Sequence, residues 1–243
     1  MSAARDQYLE LLGITRWTLR DKPQRAAVLP VPEPEPALSP SLPSSPTPAP
    51  PLSNAGNPDW AVLQAEVAAC TACTLHETRT QTVFGVGNRN AEWMIVGEAP
   101  GFEEDRQGEP FVGRAGQLLD SMLRAAGFAR EDVFIANILK CRPPDNRDPR
   151  PEEAAACNGF LQKQIEWVAP KLVLCVGRIA AQNLLGTTES TAKLRGKVHT
   201  HPATGTPVIV TYHPAYLLRK PSEKRKAWED LKLAMRVARR EPA

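Results

Sequence analysis

Apolar and polar positions follow one another along the second half of the chain as blocks of strand and then helix. Trp93-Met94-Ile95-Val96 is a short apolar run that stops at the loop Gly97-Glu98-Ala99-Pro100-Gly101, and Leu118, Leu119, Met122 and Leu123 then recur at helical spacing. Val133 to Leu139 predicts a second strand, and Pro151-Glu152-Glu153 predicts the start of a second helix, because proline and acids suit a first turn. Leu172 to Val176 predicts a third strand, running through Gly177 into a helix over Ile179 to Leu185. Val208 to Tyr212 predicts a fourth strand and Ser222 to Arg239 a final helix. This alternation predicts an α/β fold, a largely parallel sheet covered by helices, with a ligand crevice at the carboxyl ends of its strands.

The pattern breaks down before residue 59. Between Pro30 and Pro51, ten of twenty-two residues are proline, and the rest offer little apolar surface to offset the entropy of ordering. Residues 22–58 therefore read as a disordered linker held locally in polyproline II, and 59–243 as the folded domain. Residues 1–21 precede the linker. Within them RDQYLELLGITRWTLR carries Tyr8, Leu9, Leu12, Ile14, Trp17 and Leu19, too few to form a core and suited to a docking peptide.

Composition narrows the setting. The chain has 243 residues, 42% of them hydrophobic, which is ordinary for a folded domain. No apolar run approaches the roughly eighteen residues that span a bilayer, and Met1 to Glu10 lacks the apolar core of a secretion signal. A cytoplasmic protein with no membrane association is expected. In that compartment disulfides are rare, so five cysteines read as metal ligands or core residues. The net charge of +3 is too small to imply nucleic acid by itself, yet His213 to Ala243 holds nine Lys/Arg against four Asp/Glu. That basic segment could meet phosphates or form a solvated helix face.

Cys70 and Cys73 form a C-x2-C pair among polar neighbours, Cys141 follows the second strand and Cys157 lies in the helix after it. Four thiolates can close a zinc site or hold a [4Fe–4S] cluster, and spacing does not choose between them. Cys175, inside the apolar run Leu172 to Val176, reads as core. The stretch Gly97 to Asp120, GEAPGFEEDRQGEPFVGRAGQLLD, crowds acids and glycines at one strand end and places Phe111 after a proline in a polar loop. It is not a phosphate loop, since GxxxxGK[ST] is absent. Asn137 puts an amide in an apolar strand, where it needs partners when buried. The last strand is followed by His213-Pro214-Ala215-Tyr216-Leu217-Leu218-Arg219.

Together, GEAPG-x-x-ED-x-x-G-x-PFVG-x-AG-x-LLD, the run N-I-L-K-C-R-P-P-x-N-R from Asn137 to Arg147, HPAYLLR and the four cysteines resemble the family 4 uracil-DNA glycosylases. The resemblance spans Trp60 to Arg239. It implies a three-layer α/β/α sandwich, a [4Fe–4S] cluster on Cys70, Cys73, Cys141 and Cys157, and excision of uracil from single- or double-stranded DNA by a monomer associated with the nucleoid. By the same resemblance Phe111 stacks on uracil, Ala99 lies against the base, and the Asn137 amide donates to O4 and accepts from N3–H. Cytosine lacks that proton and presents an amino group at the fourth position, so a fixed amide is a selectivity device. His213 is expected against O2, where charge develops as the glycosidic bond breaks.

Glu98 and Glu104 are the expected acids for placing water or stabilising the sugar cation. The best-known branch of the superfamily has an aspartate where this chain has Ala99, so Glu98 with support from Glu104 takes that part. No lysine occurs between Gly97 and Asp120, at Asn137, or from His213 to Arg219 to form a Schiff base, which implies monofunctional hydrolysis. Leu217 or Leu218 is expected to fill the vacated stack, with Arg219 on phosphate. The alternative is a non-catalytic or covalent uracil-DNA-binding module of the same superfamily. The covalent branch uses a histidine in a basic insertion, and the matching region, Thr187 to His199, has no such run before His199, so turnover is expected.

Residues 5–20 also resemble the N-terminal segment of the psi subunit of the bacterial DNA polymerase III clamp loader, in LGITRW and the following LR. That resemblance implies docking on the clamp loader, with Trp17 as the anchor.

Overall fold

The computed structural model describes residues 59–239. The expected docking peptide and the whole of the proline-rich linker lie outside the described residues.

Helix α1 (Trp60–Ala69) is capped by Asp59, whose carboxylate accepts from Ala61 N and Val62 N at 3.1 Å each. Six strands follow, β1 (Val86–Gly87), β2 (Trp93–Gly97), β3 (Phe134–Asn137), β4 (Leu172–Val176), β5 (Val198–Thr200) and β6 (Pro207–Thr211). Between and after them run α2 (Phe102–Gln107), α3 (Arg114–Ala125), α4 (Pro151–Val168), α5 (Arg178–Leu185), α6 (Thr191–Leu194), α7 (Pro214–Arg219) and α8 (Lys224–Ala238). The sheet order is β1-β3-β2-β4-β6-β5. The inner four strands are parallel, and β1 and β5 pair antiparallel at the two edges.

Every residue of β2, β3 and β4 is buried, as befits strands covered on both faces. Alternate side chains feed two cores. Met94, Val96, Phe134, Ala136, Val173 and Val210 pack with Leu63 and Val67 of α1, Leu161 and Ile165 of α4 and Ala181 of α5. Ile95, Ile135, Leu174 and Ile209 pack on the other face with Leu119 and Leu123 of α3 and Leu231 of α8. The result is a three-layer α/β/α sandwich. Cys175 is fully buried in the first of these cores. No helix of the described residues is long and apolar enough to cross a membrane.

Three features depart from the pattern read along the chain. The second strand ends at Asn137 rather than Leu139, level with the end of β2 at Gly97, and Ile138 N and Leu139 N donate to Gly97 O and Glu98 O at 3.0 and 3.1 Å. The acidic loop after β2 contains α2, whose first turn holds Glu103, Glu104 and Asp105, where acids meet the positive end of a helix. The final helix starts at Lys224, after a 3-10 turn over Pro221–Glu223.

One buried charge ties the end of β6 in place. Asp230 of α8 is fully buried; it accepts from Thr211 Oγ1 at 2.9 Å and from Arg195 Nε and Nη2 at 3.1 and 2.9 Å. These bonds fix the residues that lead into His213.

Candidate active site

The carboxyl ends of β2, β3 and β6 open into one cleft of about 480 Å³. Glu98, Ala99, Glu104, Phe111, Asn137, His213 and Arg219 all line it, so residues far apart in the chain share one cavity.

Asn137 is the last residue of β3, level with Gly97 of β2, and is 2% exposed. Its Oδ1 is the single buried side-chain polar atom among the described residues without a hydrogen-bond partner. An unmet buried acceptor costs about 1–3 kcal/mol, which calls for an explanation. Lys140, which sits in the sequence motif but was assigned no role there, fixes the same residue from behind. Its Nζ donates to Asn137 O at 3.0 Å and to Gln164 Oε1 at 2.6 Å, and burial pulls its pKa down to about 8. Gly97 makes room for the amide. A Cβ there would fall 2.4 Å from Asn137 Oδ1 and 2.5 Å from Phe111 Cζ.

Phe111 holds a left-handed backbone with φ 55°, a conformation that strains a bulky residue and persists only where its surroundings impose it. Glu104 does so. Its Oε1 accepts from Val112 N at 3.0 Å and Gly113 N at 3.1 Å. Gly116 of α3 lets the loop close, since a Cβ there would lie 1.8 Å from Phe111 O. The Phe111 ring stacks on His213 with centroids 5.7 Å apart and planes 30° from parallel. Glu104, expected to help Glu98 place water, also lines the cleft, and one of its oxygens braces this turn.

His213 caps α7, and its Nδ1 accepts from Ala215 N at 3.1 Å. An accepting Nδ1 leaves the ring proton on Nε2. Burial, aided by the Arg219 cation and opposed by Glu104, pulls the His213 pKa down to about 4. The imidazole is therefore neutral and carries one donor. Glu98 shifts the other way. Burial, with the Asp148 carboxylate and against the Arg178 cation, pushes its pKa up to about 7. Asp148 is held by Arg178 Nη2 at 2.7 Å. Pro143, Asn146, Arg147 and Asp148 also line the cleft, and sequence reasoning assigned none of them to the site although its motif ran to Arg147. Arg147 grips the buried Glu153 through Nη1 and Nη2 at 2.9 and 2.5 Å, and Arg150 N donates to the same carboxylate at 2.8 Å.

The α7 segment separates the two leucines expected as alternative wedges. Leu217 is 1% exposed and belongs to the core between α3 and α8, whereas Leu218 is 36% exposed. Of the two alternatives, Leu217 packs in the core and Leu218 is the one that reaches solvent.

Cys70, Cys73, Cys141 and Cys157 line a second, mostly apolar cavity together with Arg79, Lys140 and Phe160. Arg79 Nη1 donates to Cys141 Sγ at 3.1 Å and Lys140 N to Cys157 Sγ at 3.3 Å. Burial pushes the Cys157 thiol up to about 11. Among the described residues no three His, Cys, Asp or Glu side chains are drawn together around a single metal ion. The donor set nonetheless fits a thiolate-ligated cluster: four sulfurs on one cavity, with N–H donors to two of them.

The fold and site together define an α/β/α sandwich with an open crevice beyond its strand ends that holds an unmet amide acceptor and an imidazole donor. Residues 84–232 match the model of the Uracil DNA glycosylase superfamily. The type-4 uracil-DNA glycosylase of Archaeoglobus fulgidus is 47% identical over 173 residues, which cover 69% of this chain and 87% of that protein. The type-4 uracil-DNA glycosylase of Thermotoga maritima is 45% identical over 183 residues, 74% of this chain and 95% of that protein. That of Saccharolobus solfataricus is 43% identical over 174 residues, 69% and 81% respectively. The chain belongs to the uracil-DNA glycosylase superfamily, in its type-4 branch.

Proposed function

We propose that this enzyme hydrolyses the bond between uracil and deoxyribose in DNA, leaving an abasic site for base excision repair. The observation that supports this most strongly is the buried, unmet Oδ1 of Asn137 in a cleft that also holds a neutral His213. A flipped uracil brings the missing donor: its N3–H meets Oδ1, while Asn137 Nδ2 donates to O4. Cytosine offers neither group. Phe111 carries the face of the base.

As the glycosidic bond breaks, its electron pair leaves with uracil and negative charge gathers on O2. His213 donates Nε2–H to that oxygen. A neutral donor stabilises the anion without first surrendering a proton, and a pKa of about 4 keeps it neutral at working pH. Water adds to C1′, and the Glu98 carboxylate takes its proton and faces the cation on the sugar. A pKa of about 7 poises Glu98 for that task. Glu104 acts through Phe111 as a positioning residue. Leu218 is the wedge into the vacated stack, with Arg219 on phosphate. Cys70, Cys73, Cys141 and Cys157 hold a [4Fe–4S] cluster, which when bound cross-links the Cys70–Cys73 turn to the segment after β3 and to α4.

Residues 5–20 serve as a docking peptide for the DNA polymerase III clamp loader, on the support of their sequence resemblance and the proline-rich stretch that follows. A clamp-loader pull-down is expected to succeed with wild type and fail with Trp17→Ala; equal capture of both removes this part. The catalytic reading is tested by incubating matched uracil- and cytosine-containing oligonucleotides with the protein and treating them with alkali. Cleavage at uracil alone is expected, and intact strands in both samples would oppose it.

A further inference from the structure

Phe102 is the most exposed large hydrophobic residue among the described residues, at 51%. A single exposed apolar side chain is ordinary, but the surroundings of this one are not. Two guanidinium groups from different segments face its ring, Arg142 at 5.1 Å and Arg106 at 5.6 Å from the centroid. Arg142 is oriented in turn by Asn146, whose Oδ1 accepts from Arg142 Nε at 2.7 Å. No carboxylate among the described residues pairs with Arg142, and Arg106 has only an exposed contact of 3.9 Å with Glu103. Both cations therefore keep donors free for an incoming anion.

The group also stands at the rim of the cleft. Phe102 directly follows Gly101, and Gly101, Pro143 and Asn146 all line the cavity. Phe102 rises from the loop after β2 and Arg142 from the loop after β3, neighbouring strands on one side of the sheet, whereas α7 follows β6, beyond β4. The rim thus carries an aromatic–cation cluster on the side away from Leu218 and Arg219.

We propose that Phe102, with Arg106 and Arg142, forms a second nucleotide subsite that takes the base next to the flipped uracil. The base stacks on the open part of the Phe102 ring and the guanidinium groups meet its phosphate. This is the chemistry by which proteins hold single strands without reading their sequence, since every base has a face and every nucleotide a charge. The subsite extends the proposed uracil excision and rests on it. It adds grip on the strand to the selectivity supplied by Asn137.

The test uses the full-length, cluster-loaded protein and single-stranded oligonucleotides with one uracil. In two of them an abasic spacer replaces the nucleotide on the 5′ or the 3′ side of the uracil. On the unmodified strand Phe102→Ala is expected to raise KM about tenfold, the size of one lost base–aromatic stack, while Phe102→Trp retains the wild-type KM. On one of the two spacer strands, wild type and Phe102→Ala are expected to show the same KM, because the stacking base is gone. Equal KM values for wild type and Phe102→Ala on the unmodified strand overturn the subsite, as does a tenfold difference that persists on both spacer strands. Failure of wild type to release uracil from any strand strikes at the glycosylase reading instead, so the two failures are distinct.

Discussion

Replacing Asn137 by alanine is expected to change stability and activity in opposite directions. In the free enzyme Oδ1 is buried without a partner, a cost of about 1–3 kcal/mol that truncation removes. The shortened side chain borders the open cleft, so little of that gain is lost to an enclosed void. The backbone carbonyl that accepts from Lys140 Nζ is retained. For a domain of this size the gain corresponds to a rise in Tm of roughly 2–12 °C. With uracil bound, the same substitution deletes two hydrogen bonds, at about 1–2 kcal/mol each. The expected loss in kcat/KM is therefore about 30- to 1000-fold. Calorimetry and uracil release, measured on one preparation with matched cluster absorbance, supply both numbers. A variant that melts lower than wild type and keeps its activity would refute the reasoning, because Asn137 would then be a structural residue with its partner overlooked.

The raised pKa of Glu98 predicts an acid limb in kcat/KM near pH 7, since the carboxylate must be ionised to take a proton from water. Asp148→Asn removes a charge that raises this pKa and is expected to move the limb to lower pH, whereas Glu98→Gln erases it. The same shift has a cost in stability: a folded-state pKa above the unfolded one means stability held below about 4.5 is lost as pH rises through about 7. Glu98→Gln is accordingly expected to melt higher than wild type at pH 8, by on the order of 2 kcal/mol after solvent screening, and equally at pH 4. Leu217→Ala is expected to cost about 2–5 kcal/mol in unfolding experiments, as for other buried leucines. Leu218→Ala is expected to leave Tm unchanged and to reduce excision from duplex DNA about tenfold more than from single strands, where no stack needs filling. Cys157→Ala is expected to abolish the brown colour of the purified protein and lower its Tm, both read by absorbance.

The inner strands β2, β3, β4 and β6 were legible because burial on both faces leaves continuous apolar runs. The edge strands were not: β1 has two residues and β5 presents Val198, His199 and Thr200 largely to solvent, so neither carries a hydrophobic signal. Helix α2 was read as loop, since six residues, mostly charged, give no period to detect. The cleft residues Glu98, Phe111, Asn137 and His213 stood out by residue type and motif, three of them at or just beyond a strand end and Phe111 in the loop between α2 and α3. Their supports did not. That Glu104 braces Phe111, that Lys140 is buried behind Asn137 and that Asp148 acts on Glu98 all depend on tertiary approach between loops. Whether Leu217 or Leu218 faces inward depends on the rotation of a six-residue helix whose flanking positions carry no pattern.

The most direct measurement is the amount of free uracil released per abasic site formed, by chromatography of a single-stranded uracil oligonucleotide after incubation with cluster-loaded enzyme. The account predicts equal amounts of uracil and alkali-labile sites, many turnovers per enzyme and no protein–DNA adduct under denaturing conditions. Binding without release, or a covalent adduct that accumulates to the enzyme concentration and stops, would contradict it.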